Sequence, residues 1–167
     1  MLRRAERPIR PLYDAAERAR RDATPWTIVQ GILAPLQFLV FAISLGLVLR
    51  ALATGEGAAA ANASVVAKTA LLYAIMITGS IWEKVVFGRY LFAPAFYWED
   101  MVSMLVLALH SAYLLALATG ALDITGLMVL ALTAYASYAI NAAQFIFKLR
   151  TARLQAPHAG LVAEAAR

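Results

Sequence analysis

Charged residues divide the chain into long apolar stretches. Residues 23–49, 101–122 and 124–147 contain no Asp, Glu, Lys or Arg. As helices rising ~1.5 Å per residue, all three are long enough to cross a hydrocarbon core of ~30 Å. Only fourteen residues separate Lys68 from Glu83. A further span therefore requires Lys68 to snorkel from one helix end and Glu83 and Lys84 to lie near the other.

This pattern predicts an all-α fold, a membrane bundle of four transmembrane helices in one domain over 1–167. The expected spans are about 26–50, 64–86, 98–120 and 124–148. The segments outside them are a basic arm at 1–24, a flexible outer loop at 53–63, an aromatic middle loop and a weakly ordered tail at 154–167.

Each predicted span carries polar residues at helical spacing. Polar groups in lipid normally face the bundle interior, so four such stripes predict a polar interior seam. Hydrogen bonds between helices suffice to explain the serines and threonines, but they explain Glu83, Glu99, Asp100 and His110 less well. The stripes are Gln30, Gln37 and Ser44; Thr69, Tyr73, Ser80 and Glu83 or Lys84; Glu99, Ser103, His110 and Tyr113; and Thr133, Ser137, Asn141, Gln144 and Lys148.

Composition and charge distribution support a membrane protein. Hydrophobic residues make up 62% of the chain and charged residues 15%, and there is no cysteine, which excludes disulfides and thiolate chemistry. The net charge of +5 does not indicate a nucleic-acid partner, because seven arginines precede the first span, where orienting charge is expected. The middle loop and the segment after the last span are also basic. We therefore expect both termini and the middle loop to be cytoplasmic.

The middle loop, 81–100, is rich in aromatic residues and contains a Trp-Glu pair twice, at 82–83 and 98–99. One interpretation is an aromatic belt at the headgroup level. The other is a site for a flat aromatic or lipid-like ligand, since acidic residues accompany both tryptophans at the mouth of the seam. From the residues alone both interpretations remain open.

Candidate chemistry is limited to a few side chains. No phosphate-binding glycine loop and no His-Glu-x-x-His motif occurs. His110 is either a hydrogen-bonded structural residue, a proton donor, or an axial ligand to a metal inside a bound ligand. Glu83 and Glu99 could donate a proton, or a Glu83–Lys84 or Glu99–arginine pair could simply hold the loop against the bundle. Asp100 points ~100° away from Glu99 on a helix and is the weaker acid candidate.

The chain resembles the 2-vinyl bacteriochlorophyllide hydratase family over roughly 12–155. The combination of matching segments is specific, although each short motif alone would mean little. These segments are 21–27, 29–31, 33–38, 66–69, 81–84, 87–88, 98–100, 110, 141–142, 144–145 and 148–150.

The resemblance implies a hydro-lyase that adds water to the 3-vinyl group of a chlorophyllide-type tetrapyrrole in bacteriochlorophyll biosynthesis. No separate cofactor or metal site is expected, because the substrate carries its own magnesium. The expected partners are the substrate, membrane lipid and either a second copy of the chain or other enzymes of the pathway. A non-catalytic tetrapyrrole-binding or assembly protein is the alternative.

Two sets of residues are predicted to form the site. The candidate catalytic residues are Glu83, Glu99, Asp100 and His110. The candidate substrate-binding residues are Trp82, Lys84, Arg89, Tyr97, Trp98, Gln37, Asn141 and Gln144.

Overall fold

The computed structural model describes residues 12–165, with side chains described for 12–153. All regular structure in this part of the chain is helical. Four of the helices contain stretches long and apolar enough to cross a membrane, the last of them at Ile124–Arg153. The predicted all-α bundle of four membrane spans is confirmed. The helices are α1 (Ala15–Ala23), α2 (Pro25–Thr54), α3 (Ala58–Phe87), α4 (Tyr97–Thr119) and α5 (Ile124–Ala165).

The basic arm contains the short helix α1, which local sequence signals define. Asp14 and Glu17 form a capping box, in which each side chain accepts a hydrogen bond from the other residue's backbone N–H. Pro25 occupies the first turn of the next helix, where its fixed φ is favourable. Arg20 donates from Nε to the carbonyl of Val86 at 2.8 Å and so caps the end of α3. Residues 1–11 of the predicted arm lie outside the described residues.

The four long helices form a closed bundle. Helix α2 packs along α3 and α5, α4 packs along α5, and α3 meets α4 over a shorter stretch. We call the end that holds the start of α2, the end of α3 and the connection 88–96 the proximal end. The opposite end is the distal end. An apolar core that includes Val48, Val65 and Met128 fills the distal half, whereas large apolar side chains such as Ile28 and Phe147 are exposed on the outside, where lipid would contact them.

The second span begins earlier than the sequence predicts. Helix α3 starts at Ala58, so the distal connection between α2 and α3 consists of residues 55–57 only. The loop predicted at 53–63 is therefore too long. Alanine has the highest helix propensity, which accounts for the added turns at 58–61. The snorkelling position predicted for Lys68 is wrong as a consequence. Lys68 lies ten residues, ~15 Å, inside the helix and is fully buried.

Helix α5 continues beyond the predicted span end at 148. Its backbone is helical to Ala165, through most of the segment 154–167 for which the sequence predicts a flexible tail. Residues 166 and 167 lie outside the described residues.

Candidate functional site

An aromatic cluster closes the proximal end of the bundle. Phe96, at the start of α4, is 2% exposed, and its ring centroid lies 5.8 Å from those of Trp82, Phe87 and Phe145. Tyr13 stacks on Phe87 at 5.8 Å, so the segment before α1 joins the same cluster. Burial raises the pKa of the Tyr13 phenol above its usual value. The cluster fixes the connection 88–96 to the ends of α3 and α4.

Two carboxyl groups meet beneath this cluster. Glu83 near the end of α3 is 6% exposed and Asp100 in the first turn of α4 is 4% exposed. Their carboxyl groups lie close enough to interact with each other directly. A carboxylate oxygen can only accept a hydrogen bond, so the two groups can bond to each other when one of them carries a proton. The pair is therefore able to hold a proton and to present it to a bound molecule.

The connection 88–96 supports the pair with backbone donors. The N–H of Phe92 donates to Oδ2 of Asp100 at 2.7 Å, and the N–H of Ala93 donates to Oε2 of Glu83 at 3.3 Å. Phe92 adopts φ 59°, a left-handed conformation that costs a residue with a side chain ~1–2 kcal/mol. Among the residues that the structure describes, no other non-glycine residue has positive φ. Strain of this kind persists where surrounding contacts hold it, and it is common at functional sites.

Glu99 has a different environment from its neighbour Asp100. Its Oε2 accepts a hydrogen bond from Nζ of Lys148 on α5 at 2.5 Å, in an ion pair with both side chains largely enclosed. The Lys148 ammonium also lies 5.1 Å from the centroid of the Phe96 ring. Lys84 does not pair with Glu83 but donates to the carbonyl of Gly88 at 2.9 Å. The predicted alternative of an ion pair at Glu99 is thus present, with a lysine in place of an arginine.

The two tryptophans of the middle segment differ in their surroundings. The Trp82 indole donates to Oγ1 of Thr27 at 2.9 Å and packs inside the aromatic cluster. Trp98 is 70% exposed and Tyr97 is 44% exposed, and the two rings contact each other at 5.5 Å on the outer surface of the bundle. The structure therefore brings Trp82 towards the carboxyl pair and places Trp98 and Tyr97 where lipid headgroups or a bound amphiphile would lie.

The predicted rim cations are accessible. Lys84 and Arg89 are both exposed at the proximal end, and the Lys84 ammonium lies 5.3 Å from the centroid of the Tyr90 ring. Arg150 is exposed on α5 beyond the Glu99–Lys148 pair. These positive charges surround the site without entering it.

The remaining predicted site residues lie deeper in the bundle. Gln37 is 1% exposed and His110 is fully buried, and Asn141 donates to Oγ of Ser103 at 2.7 Å. Gln144 is half-buried, one turn before Lys148 on α5.

The hydrogen bond of His110 defines its tautomer. Nδ1 lies 2.8 Å from the carbonyl oxygen of Val106, which can only accept a hydrogen bond, so Nδ1 carries the proton. In the neutral imidazole Nε2 then has a free lone pair.

Sequence reasoning does not find three residues of the site. The backbone donors of Phe92 and Ala93 depend on loop conformation, for which the sequence offers no signal. The hydropathy pattern places Lys68 at a helix end. The signal that could have drawn attention to it is its position within 66–69, a segment on which the family resemblance rests. Its fully buried position follows once the alanines before it are read as helix.

The side chains that converge at the proximal end are able to take part in proton transfer. Within residues 12–153, no three His, Cys, Asp or Glu side chains come together as a metal ion would need. The carboxyl pair offers a general acid and a general base side by side. The class defined by this fold and site is a four-span helical membrane protein with a buried pair of carboxyl groups at one end.

Comparison with known proteins identifies the family. The sequence model of the 2-vinyl bacteriochlorophyllide hydratase family matches residues 13–151. The chain is 70% identical over 148 residues to the 2-vinyl bacteriochlorophyllide hydratase of Cereibacter sphaeroides, covering 88% of this chain and 91% of that protein. It is 67% identical over 145 residues to the hydratase of the same name from Rhodobacter capsulatus, covering 87% of this chain and 84% of that protein. No solved structure matches. The chain belongs to the 2-vinyl bacteriochlorophyllide hydratase family.

Proposed function

We propose that this chain is a hydro-lyase that adds water to the 3-vinyl group of a chlorophyllide-type tetrapyrrole, giving a 3-(1-hydroxyethyl) group in bacteriochlorophyll biosynthesis. Family membership over most of the chain supports the activity. The observation that carries a mechanism is the pair of buried, neighbouring carboxyl groups of Glu83 and Asp100 at the proximal end, each of which accepts a hydrogen bond from the backbone of the connection 88–96. Hydration of an alkene requires a proton donor and a proton acceptor at one place, and this pair supplies both.

The reaction begins with protonation of the terminal vinyl carbon. The electron pair of the double bond forms the new C–H bond, which leaves a cation at the carbon attached to the ring, where the macrocycle delocalises it. Water then forms a C–O bond at that carbon and loses a proton to the member of the Glu83–Asp100 pair that did not donate the first proton. The net change is the addition of one water molecule. The substrate carries the magnesium, so every step assigned to this chain is a proton transfer or a charge interaction.

Hydrogen bonding supports a proposed division of roles within the pair. The short bond from the Phe92 N–H favours the negative charge on Asp100, and the longer bond from Ala93 supports Glu83 less strongly. Glu83 is therefore the proton donor and Asp100 the group that receives the proton from water. The Trp82 ring beside them is suited to stabilise the cation electrostatically. Glu99 holds Lys148 and has a positioning role.

A non-catalytic tetrapyrrole-binding protein is the alternative function, since an aromatic, partly acidic site could hold the pigment without turnover. Oxygen-18 water separates the two. We expect the purified protein, given a 3-vinyl chlorophyllide in labelled water, to place the label in the product hydroxyl. Bound pigment that is recovered with its vinyl group intact would contradict the proposed activity.

The rim cations are proposed to bind the free propionate of the substrate. Replacing Arg89 with Gln should raise the Michaelis constant with little change in turnover, because a contact present equally in the ground and transition states is lost. Steady-state kinetics measure this. Arg50→Gln is the matched control, since Arg50 is an exposed arginine near the distal end. Unchanged Michaelis constants for single substitutions of Lys84, Arg89 and Arg150 would eliminate propionate binding at the rim.

The protein is proposed to lie in a bacterial inner membrane with its proximal end in the cytoplasm, because basic residues flank that end. A cysteine introduced at Ala59, an exposed position at the distal end, should react with an impermeant thiol reagent added from the periplasm. The natural chain has no cysteine, so the background is low. Labelling from that side at Arg89→Cys instead of Ala59→Cys would reverse the orientation.

A further inference from the structure

The interior of the bundle contains a lysine with no acidic partner. Lys68 is fully buried, and its Nζ lies 3.8 Å from the centroid of the Tyr138 ring. Neither of the two ion pairs found among residues 12–153 involves it, and Nζ has no hydrogen-bond partner among the residues the structure describes. A basic group buried between membrane spans is costly and normally serves a function.

Two further polar side chains share this region. His110 is fully buried, its ring centroid lies 5.8 Å from that of Tyr135, and it is close enough to Lys68 for electrostatic interaction. The hydrogen bond between Ser44 and Tyr135 marks a level along the bundle axis, and the positions of nearby buried residues can be measured from it. By a helical rise of ~1.5 Å per residue, Lys68 lies ~6 Å from Ser64, which bonds to Ser44, and Gln37 lies ~10 Å from Ser44, both towards the proximal end.

The buried polar atoms that lack a partner in the described protein form a mixed set. Two of them are donors, Nζ of Lys68 and Nε2 of Gln37, and the others are acceptors. Both amide atoms of Gln37 lack a partner among the described residues, so this residue contributes one donor and one acceptor whichever way its amide is turned. The acceptors are Oε1 of Gln37, Nε2 of His110, Oδ1 of Asn141 and Oε1 of Gln144.

The mixture of donors and acceptors and the lack of open space indicate which ligand these atoms can bind. An anion would require donors alone, but Gln37 offers an acceptor in either amide orientation and Nε2 of His110 is a second acceptor. A macrocycle would need open space beside Nε2 of His110, but His110 and Lys68 are both fully enclosed and aromatic rings lie close to them. Water is small and both donates and accepts, and it commonly satisfies buried polar groups that have no protein partner.

The buried polar atoms without a partner in the described part of the chain extend along α5 in the direction of the carboxyl pair. Asn141 and Gln144 follow each other along α5 from Tyr138 to Lys148, which contacts Glu99 beside Asp100. We propose that Gln37, Lys68, His110, Asn141 and Gln144 bind a file of water molecules that runs from mid-bundle to the proximal end. This file supplies the water consumed by hydration, a role that rests on the proposed function. The outer surface of the bundle is apolar, so an internal store provides water that the surrounding lipid cannot.

X-ray radiolysis tests the binding site without any substrate. Radiation splits bound water into hydroxyl radicals, which oxidise the side chains beside it. We expect rapid oxidation of Tyr138, whose ring faces the Lys68 ammonium. Met128 is the internal control, because it is fully buried in the apolar core of the same helix and methionine oxidises more readily than tyrosine. Oxidation of Tyr138 no faster than that of Met128 would overturn the proposed water site.

Two variants link the file to the reaction. Lys68→Met and Gln37→Leu should reduce Tyr138 oxidation to the Met128 level, and they should lower turnover while leaving the Michaelis constant unchanged. Replacing a buried charge by an apolar side chain of similar volume is often neutral or stabilising, so Lys68→Met is expected to fold. Thr133→Val is the matched control, since Thr133 is exposed on the outer face of α5 and should affect neither measurement.

The outcomes distinguish this inference from the proposed function. Lost Tyr138 oxidation with native turnover in both variants would overturn the supply role. Failure of the unsubstituted protein to incorporate oxygen-18 would overturn the hydratase activity, whereas the radiolysis result does not depend on activity.

Discussion

Replacing Glu83 with Gln is expected to lower turnover by ~10²–10⁴-fold, the usual contribution of general acid–base catalysis. The amide keeps the shape of the side chain but has no acidic proton to give to the vinyl carbon. Asp100→Asn should produce a loss of similar size, because in the proposed mechanism one group gives a proton and the other receives one, so that the two act as a unit. Turnover of the chlorophyllide in detergent-solubilised protein measures both effects.

Folding and pigment binding must be checked in the same preparations. Glu56→Gln is the matched control, since Glu56 is an exposed carboxylate in the distal connection and its loss should leave turnover unchanged. Near-native turnover in both Glu83→Gln and Asp100→Asn would rule out the pair as acid and base. Glu99 and then His110 would be the next candidates for the acid.

Replacing Lys148 with Met should destabilise the protein by about 2 kcal/mol or more, because the substitution leaves the Glu99 carboxylate without its partner. Removing one member of a fully buried pair costs ~3–5 kcal/mol, and Lys148 retains 26% exposure of its side chain, so a smaller cost is expected. Thermal unfolding in detergent micelles provides the measurement.

A double-mutant cycle isolates the interaction energy between Glu99 and Lys148. Glu99→Gln combined with Lys148→Met should recover much of the stability lost in Lys148→Met alone, because no uncompensated charge remains. Additive losses would show that the Glu99–Lys148 contact contributes nothing of its own. Arg150→Met is the control, as Arg150 lies half a turn further along α5 and is exposed.

The polar stripes illustrate how much of the interior the sequence predicts. Gln37, Ser44, Thr69, Ser103 and His110 are all buried, as their helical spacing indicates. Thr133 shares the fourth stripe but is exposed and donates to the backbone of its own helix. Threonine satisfies its hydroxyl locally in this way, so its polarity does not identify the inner face of a helix.

The partners within the site could not be read from the sequence. Glu99 and Asp100 are adjacent residues, and a helix separates their side chains by ~100°, so they must face different neighbours. The sequence does not say which neighbouring helix each one faces. In the folded bundle Asp100 faces Glu83 on α3, and Glu99 faces Lys148 on α5.

The sequence by itself determined the four spans, the polar seam and the family, because apolar length and helical periodicity are local properties and the matching motifs are written in the chain. Tertiary structure alone decided that Asp100 joins Glu83 and that Phe92 and Ala93 support the two carboxyls. These contacts depend on how the helices are rotated and how the connection 88–96 folds. Packing between distant residues fixes both, and no local pattern encodes them.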